Sequence, residues 1–359
     1  MSLLDRVVDK LKAPFVPGSA KTAPAANEPS EAEKRAIRDR ILDIIAERPL
    51  DLNIETSNFC AASCVFCPNS KVKRHKTTMD MELFRKVIDD YVAIGGGALG
   101  VSSMQSDVFS DKLLLERIRY IAQHKASLYV YTTTFLAGAS KFSDEDLTFI
   151  LSNFDQFQIS LGGTDKDQYR QMYGINAFDV VKRQLLRIAK LVRDNNLPVK
   201  LSLYFRTTDA STIMSSDLMK ELGESYGVVE ARDTFFSWGG IISQDDLPDG
   251  AKLQLVDNSQ VRSDCAVSMA SLSVNVDGSI VGCGCVDWNA QHVIGNLTNN
   301  TIKEAWTARP AVEFRTAFSR GAVPDLCKDC SLYLSVDDAF GKRALKDYKP
   351  TDGLYYNQG

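Results

Sequence analysis

Apolar residues along the chain fall into two alternating rhythms. Short strand-like runs begin near Leu50, Ala98, Ser127, Gln156, Pro198 and Val228. Between them lie stretches with helical periodicity: Met79–Ile94, Asp111–Lys125, Ser143–Ser152, Ala177–Asn195 and roughly Ser216–Tyr226. Strands alternating with helices at this spacing predict a parallel sheet. Six strands and five helices are too few for an eightfold barrel, so the expected fold is α/β, a partial, open (β/α)6 barrel. Chemistry in such folds gathers beyond the carboxyl ends of the strands.

The flanks read differently. Leu3, Leu4, Val7, Val8 and Leu11 fall on one helix face, either a docked arm or a membrane-surface helix. Pro14, Pro17, Pro24 and Pro29 mark a linker. Ser30 and Glu33 form a capping-box signature before a helix that presents Ile37, Ile41, Leu42, Ile44 and Ile45. After about residue 255 come short β-like runs, Ser271–Val276 and Ser279–Val281, joined by an Asp277-Gly278 turn, then one helix over about Ile302–Phe318. The organisation expected is an arm, linker and leading helix over 1–47, the barrel over 48–250, a small cysteine-rich β-hairpin/helix domain over 251–335, and a tail over 336–359. Gly95-Gly96-Gly97 follows a helix and precedes a strand, the reverse of a phosphate cradle, and reads as a turn.

Composition narrows the class. With 359 residues, 44% hydrophobic and 25% charged, the chain suits a globular enzyme able to bury a core without disulfides. A net charge of −4 argues against nucleic acid as a main partner. The basic run Lys71-Val72-Lys73-Arg74-His75-Lys76 reads as a solvated loop or as a grip on an anionic group. No run approaches the ~20 apolar residues of a membrane span, and the N-terminus lacks a signal-peptide pattern. The expected compartment is the cytoplasm, where eight cysteines serve as metal ligands or catalysts rather than disulfides.

Three of those cysteines, Cys60, Cys64 and Cys67, lie within eight residues just after the first expected strand. Thiolates suit zinc or iron–sulfur clusters. A zinc site would need a nearby fourth ligand, and only His75 is close in sequence. A [4Fe–4S] cluster with three cysteines keeps one iron open. The spacing Cys60-x3-Cys64-x2-Cys67, with Phe66 before the last cysteine, resembles the defining motif of the radical S-adenosylmethionine superfamily. That resemblance implies a cluster whose open iron chelates S-adenosylmethionine, which on reductive cleavage gives a 5′-deoxyadenosyl radical. An electron donor such as flavodoxin or ferredoxin is implied with it. The family's Gly-Gly-Glu after strand two is replaced here by Met104-Gln105-Ser106-Asp107, so Gln105, Ser106 and Asp107 stand where the cofactor's amino group is received. Ile159-Ser160-Leu161-Gly162-Gly163 is similar to the family's strand-four ending, which makes Ser160 a cofactor contact, as is Phe66; Arg206 near the end of strand five is placed to pair with the cofactor carboxylate.

Cys265-x12-Gly278-x4-Cys283 sets two ligands at the ends of a hairpin, and Cys327-Lys-Asp-Cys330 supplies a compact pair. On chemistry alone these four could close a zinc site or hold a [4Fe–4S] cluster. The pattern resembles the twitch domain, a shortened SPASM domain, which implies one auxiliary [4Fe–4S] cluster; the ligand spacing is similar to that of the aminoglycoside-biosynthesis dehydrogenases. Cys285 is left over, as a spare thiol, an alternative ligand or a hydrogen-atom donor. His124 reads as a surface residue, and His292 follows the hairpin. Two outcomes fit: oxidation of a small polar, carbohydrate-like substrate through the auxiliary cluster, or epimerisation with Cys285 returning a hydrogen. Peptide modification and a non-catalytic iron–sulfur or zinc scaffold are the other readings.

Overall fold

A computed structural model describes residues 30–102 and 106–341. The six expected strands form: β1 (Asp51–Ile54), β2 (Gly97–Val101), β3 (Leu128–Thr134), β4 (Gln156–Leu161), β5 (Lys200–Arg206) and β6 (Val228–Arg232). Each runs parallel to its neighbours. Thr234–Phe235 (β7) and Lys252–Leu253 (β8) make a separate parallel pair. Ser271–Val274 (β9), Ser279–Val281 (β10) and Val293–Asn296 (β11) then extend the main sheet, whose order is β11-β10-β9-β1-β2-β3-β4-β5-β6. The expected hairpin is β9–β10, turning at Gly278 (φ 79°). It does not stand apart from the barrel. β9 pairs in parallel with β1, Asp51 against Ser271 through Ile54 against Val274.

Helices α1 (Glu31–Glu47), α2 (Met81–Ala93), α3 (Leu114–Gln123), α4 (Asp144–Ser152), α5 (Lys166–Tyr173), α6 (Phe178–Asp194) and α7 (Asp217–Leu222) accompany the barrel. Asp80 caps α2 through its bond to the Leu83 N–H (2.7 Å), and Ser143 caps α4. α2 buries Phe84, Val87, Ile88 and Tyr91. Each such side chain contributes roughly 1.5–3 kcal/mol. The core lies on the helix-facing side of the sheet, where Leu52, Ile54, Leu99, Val101, Phe157, Ile159, Leu203 and Phe205 are buried. The alternate strand positions face the lumen and are polar: Asp51, Asn53, Gln158, Ser160, Tyr204, Arg206, Glu230 and Arg232 line a cavity there.

Two helices depart from expectation. α5 has no counterpart in the sequence pattern, because its sequence KDQYRQMY is too short and polar for apolar periodicity to show. It forms because Asp165 caps its start, accepting from the Asp167 and Gln168 N–H groups, and Gly174 ends it in the left-handed region. The single helix expected over about Ile302–Phe318 is instead two, α9 (Ile302–Thr307) and α10 (Arg309–Arg315), with α8 (Ala266–Ala270) earlier in the same region. Pro310 is the cause. Its ring cannot follow the Trp306 carbonyl four residues back in a continuous helix. The chain opens at Ala308 (ψ 149°), and the Trp306 carbonyl accepts from Arg315 Nη1 at 2.7 Å.

Gly95-Gly96-Gly97 forms the expected turn into β2. Two further short helices, α11 (Asp325–Lys328) and α12 (Val336–Gly341), complete the fold; Val336 and Ala339 of α12 are buried, and Arg38 of α1 pairs with Asp337 at 2.8 Å. The N-terminal arm, the linker and residues 342–359 lie outside the described residues. Among the described residues no helix is long and apolar enough to cross a membrane.

Candidate active site

The loop carrying Cys60, Cys64 and Cys67 leaves the carboxyl end of β1. Its two ends are fastened together: Met79 N–H bonds Thr56 O (2.9 Å), Asn58 N–H bonds Thr77 O (3.2 Å), and Ser57 pairs with Thr78. Beneath this closure lies a fully buried ion pair, Arg117 Nε to Asp111 at 2.7 Å. The same guanidinium donates to Met79 O and lies over the Phe84 ring, 4.7 Å from its centroid. The pair tolerates burial because the guanidinium fork also bonds a backbone acceptor and stacks on a ring.

The unexpected α5 positions the thiols. Ser63 N–H bonds Tyr173 O and Val65 N–H bonds Met172 O, both at 3.0 Å, so the loop is clipped to the helix's last turn. Gly174 permits this contact. Its φ is 67°, and a β-carbon there would lie 2.8 Å from Ser63 O. Burial pushes the Cys60 thiol up to about 12 and Cys67 up to about 11, and raises Cys64 further, with Cys67 and Cys60 adding to the effect at Cys64. The three sulfurs thus share one desolvated locus that resists three bare thiolates. Iron supplies the positive charge that offsets such crowding, so the donor set fits a thiolate-bound cluster. Among the described residues no three His, Cys, Asp or Glu side chains make a single-ion site.

The basic run is exposed at Lys71, Lys73 and His75, and it also serves as a set of tethers. Arg74 makes a bidentate pair with Glu55 (2.8 and 2.6 Å) and donates Nε to Trp288 O (2.8 Å). Lys71 bonds Asp246 (2.6 Å), Lys76 bonds Asn58 O and Asn69, and the Lys73 N–H bonds Asn289 (3.0 Å). Lys71, Lys73 and Arg74 thus tie the thiol loop to residues 246, 289 and 288, while Lys76 braces the loop internally. Sequence alone could not show this, because the acceptors Trp288 and Asn289 lie more than 200 positions away.

Cys265, Cys283, Cys285, Cys327 and Cys330 all line one small pocket with Phe314 and Phe318. Cys265 precedes α8, Cys283 follows β10, and Cys327 and Cys330 sit on and just after α11. Asn258 fixes the last pair, its Nδ2 donating to Cys327 O (3.0 Å) and Cys330 O (2.9 Å). Burial raises Cys265, Cys327 and Cys330. Cys283 alone is drawn down, chiefly by a hydrogen bond from the Cys285 thiol, which is itself pushed up. Five sulfurs around an apolar pocket again fit an iron–sulfur cluster. His292 lies beside this pocket, its ring 5.7 Å from Phe314, while His124 sits at the surface against Tyr120.

A larger cavity of about 540 Å³ fills the barrel lumen. Ser160 and Arg206 line it, and so do Cys283 and Cys285. Val267, Cys283, Cys285, Leu332 and Tyr333 line both this cavity and the five-thiol pocket, so they form the wall between them. Cys60, Cys64 and Cys67 are not in the cavity lining. Tyr173 links the two: its hydroxyl donates to Ser160 Oγ (2.7 Å), and its ring meets Phe66 edge-on at 5.6 Å. Phe66 stacks on Phe235 (5.4 Å), and its carbonyl accepts from Trp238 Nε1 (2.8 Å), which joins the loop to the cavity wall.

Gln105 lies outside the described residues. Ser106 Oγ and Asp107 Oδ2 are buried without a hydrogen-bond partner among the described residues, while Asp107 Oδ1 accepts from Thr134 and from the Phe135 N–H (3.1 Å). Two orphaned oxygens following β2 fit a bound polar group, and burial pushes Asp107 up to about 6. Sequence inspection missed the remaining lumen residues, Asp51, Asn53, Gln158, Tyr204, Glu230 and Arg232. Their signal was a polar residue at every second strand position.

Family models agree with this arrangement. That of the radical SAM superfamily matches residues 54–219. That of SPASM, an iron–sulfur cluster-binding domain, matches residues 265–331. The chain therefore carries a radical SAM domain over residues 54–219 and a SPASM domain over residues 265–331. Its cofactors are accordingly a [4Fe–4S] cluster, S-adenosylmethionine and auxiliary iron–sulfur. Among solved structures, BtrN in complex with AdoMet and 2-DOIA is similar at 18% identity and TM-score 0.52, over 78% of this chain and 92% of that one. Streptococcus suis SuiB bound to precursor peptide SuiA is similar at 14% identity and TM-score 0.57, over 93% of this chain and 83% of that one. A histidine-tagged anSMEcpe with bound AdoMet is similar at 14% identity and TM-score 0.50, over 84% of this chain and 92% of that one. Likeness at these identities is one of fold. No curated protein matches the chain.

Proposed function

We propose that the protein is a radical SAM dehydrogenase that oxidises a small polar, carbohydrate-like substrate held in the barrel lumen. In this reading Cys60, Cys64 and Cys67 hold the radical-generating cluster. Cys265, Cys283, Cys327 and Cys330 hold the auxiliary one. When bound, S-adenosylmethionine on its reduced cluster supplies a hydrogen-atom acceptor, and the auxiliary cluster supplies an electron acceptor. Ser106, Asp107, Ser160 and Arg206 receive the cofactor's polar groups, with Phe66 packing the loop behind them. A flavodoxin- or ferredoxin-like protein is the expected reductant.

The observation that carries this reading is the shared wall. A substrate in the 540 Å³ lumen is separated from the five-thiol pocket by Val267, Cys283, Cys285, Leu332 and Tyr333, the residues common to both linings. Such a cavity is of small-molecule size. The polar side chains in its lining, Asp51, Asn53, Gln158, Glu230 and Arg232, suit a ligand rich in hydroxyl or amino groups. BtrN, crystallised with AdoMet and 2-DOIA, lends the small-substrate reading support.

A second reading is epimerisation, favoured by the presence of Cys285 in the cavity wall, where a thiol could return a hydrogen atom. Peptide modification is a third, favoured by the likeness to SuiB with its precursor peptide. Reconstituted, reduced protein is to be incubated with S-adenosylmethionine and a pool of polyhydroxylated small molecules in deuterated buffer. Release of 5′-deoxyadenosine with a new carbonyl supports dehydrogenation. Deuterium at an inverted carbon supports epimerisation instead, and no 5′-deoxyadenosine would sink all three readings.

A further inference from the structure

Two carboxylates line the lumen, and only one has a counter-ion. Glu230 pairs with Arg232. Asp51 is 2% exposed, and none of its partners among the described residues is a cation: Ser271 Oγ and Asn53 Nδ2 donate to Oδ2, and the Tyr131 hydroxyl to Oδ1. A buried carboxylate without a counter-ion is costly to keep. Its donor set is also short. Tyr131 has one hydroxyl proton and two acceptors in reach, Asp51 Oδ1 at 2.9 Å and Asn53 Oδ1 at 3.0 Å. It cannot satisfy both fully. Asp51 Oδ1 has no other donor among the described residues, so it can take one more.

A second side chain facing the same cavity is incomplete in the opposite sense. Gln158 is 5% exposed, and its Oε1 accepts from the Thr133 hydroxyl at 3.2 Å. Its Nε2 is buried without a partner among the described residues. The lumen therefore asks for a donor at Asp51 and for an acceptor at Gln158. An ammonium supplies the first and a hydroxyl oxygen the second. Asp51 opens β1, whereas Arg206 closes β5, so the cavity runs from the amino to the carboxyl ends of the strands. The thiol loop leaves the carboxyl end of β1, which sets Asp51 at the end of the lumen remote from it.

We infer that the lumen is built for an amino sugar or a similar amino alcohol, whose ammonium group docks on Asp51 and whose hydroxyl group docks on Gln158. The inference rests on the reading of the lumen as the substrate site and names the class of molecule it takes. Asp51 is then a specificity residue, holding the substrate end remote from the thiol loop.

The test is calorimetric binding at pH 7.5 to the anaerobically reconstituted full chain with S-adenosylmethionine and no reductant, so that nothing turns over. The probes are amino sugars with the amine at carbon 2, 3, 4 or 6, each beside the parent sugar with a hydroxyl group there. At least one amino sugar is expected to bind roughly 10- to 100-fold tighter than its parent, the worth of a hydrogen bond to a charged group. Asp51→Asn is expected to remove that preference and leave the affinity for the parent unchanged. Asp51→Ser repeats the test should the asparagine variant not fold. Equal binding of every amine and its parent overturns the inference, and so does a preference that survives in both variants. Activity separates the two levels. Asp51-dependent amine binding without a carbonyl product after reduction leaves the subsite standing and removes the oxidation. A carbonyl product from an amine-free sugar, formed equally well by Asp51→Asn, does the reverse.

Discussion

Asp51 is a buried carboxylate whose hydrogen-bond donors are all neutral: Ser271 at 2.7 Å, Tyr131 at 2.9 Å and Asn53 at 3.2 Å. Burial outweighs these donors and pushes it up to about 6, against about 3.9 in an unfolded chain. The sign follows. Above pH 6 the folded protein holds a desolvated charge that the unfolded chain keeps in water, so ionised Asp51 lowers stability there. The penalty fades as pH falls from about 6 to about 4. An Asp51→Asn variant should therefore gain stability relative to wild type on going from pH 4.5 to pH 7.5, by about 2 kcal/mol. Thermal unfolding at the two pH values checks this; a flat difference would show that Asp51 carries no such cost.

At the scale of elements, two of the ties that hold the thiol loop are the Arg74–Glu55 salt bridge and the last turn of α5. Glu55 is almost fully buried, and Arg74 is its bidentate partner. Arg74→Ala leaves that carboxylate unpaired and should cost about 3–5 kcal/mol in urea unfolding. Arg74→Lys restores charge without the fork and should recover only part. Gly174→Ala should lower iron loading of the first cluster more than it lowers global stability, because the clash is with Ser63 O of the loop itself. Iron analysis beside thermal unfolding of the same variant checks this. These elements also show what can be read in advance. The strand–helix alternation is legible because apolar faces repeat, and all six strands begin within two residues of where the pattern places them. The cysteine loop is legible because its ligands are local in sequence. α5 is not, since its stability comes from caps and from the burial of Tyr169 and Tyr173. The break at Ala308 is signalled by Pro310 alone, against a helical pattern on both sides. The lumen's polar row and the tethers of the basic run depend on partners far along the chain.

For the whole molecule, the two thiol centres are joined through hydrogen-bonded tethers rather than through shared ligands. Cys265, Cys283, Cys327 and Cys330, changed together to serine, should remove only the auxiliary iron. The protein should still cleave S-adenosylmethionine yet yield no oxidised product. Oxidised product from that variant would mean the electron leaves by another route.

The pairing of β9 with β1 carries a consequence for how the protein is made. β1 is among the first described strands to leave the ribosome, and its partner on one side is β9, 220 residues later in register. Until residue 274 has emerged, β1 offers an open edge, and the Trp288 carbonyl that anchors Arg74 has not yet been synthesised. The cradle for Cys60, Cys64 and Cys67 is therefore finished late in synthesis, although its ligands appear early. Iron–sulfur insertion at the first cysteines is then expected to wait for the last third of the chain. Translation stalled before residue 271 should give nascent protein that takes up no iron, whereas release at full length should load it.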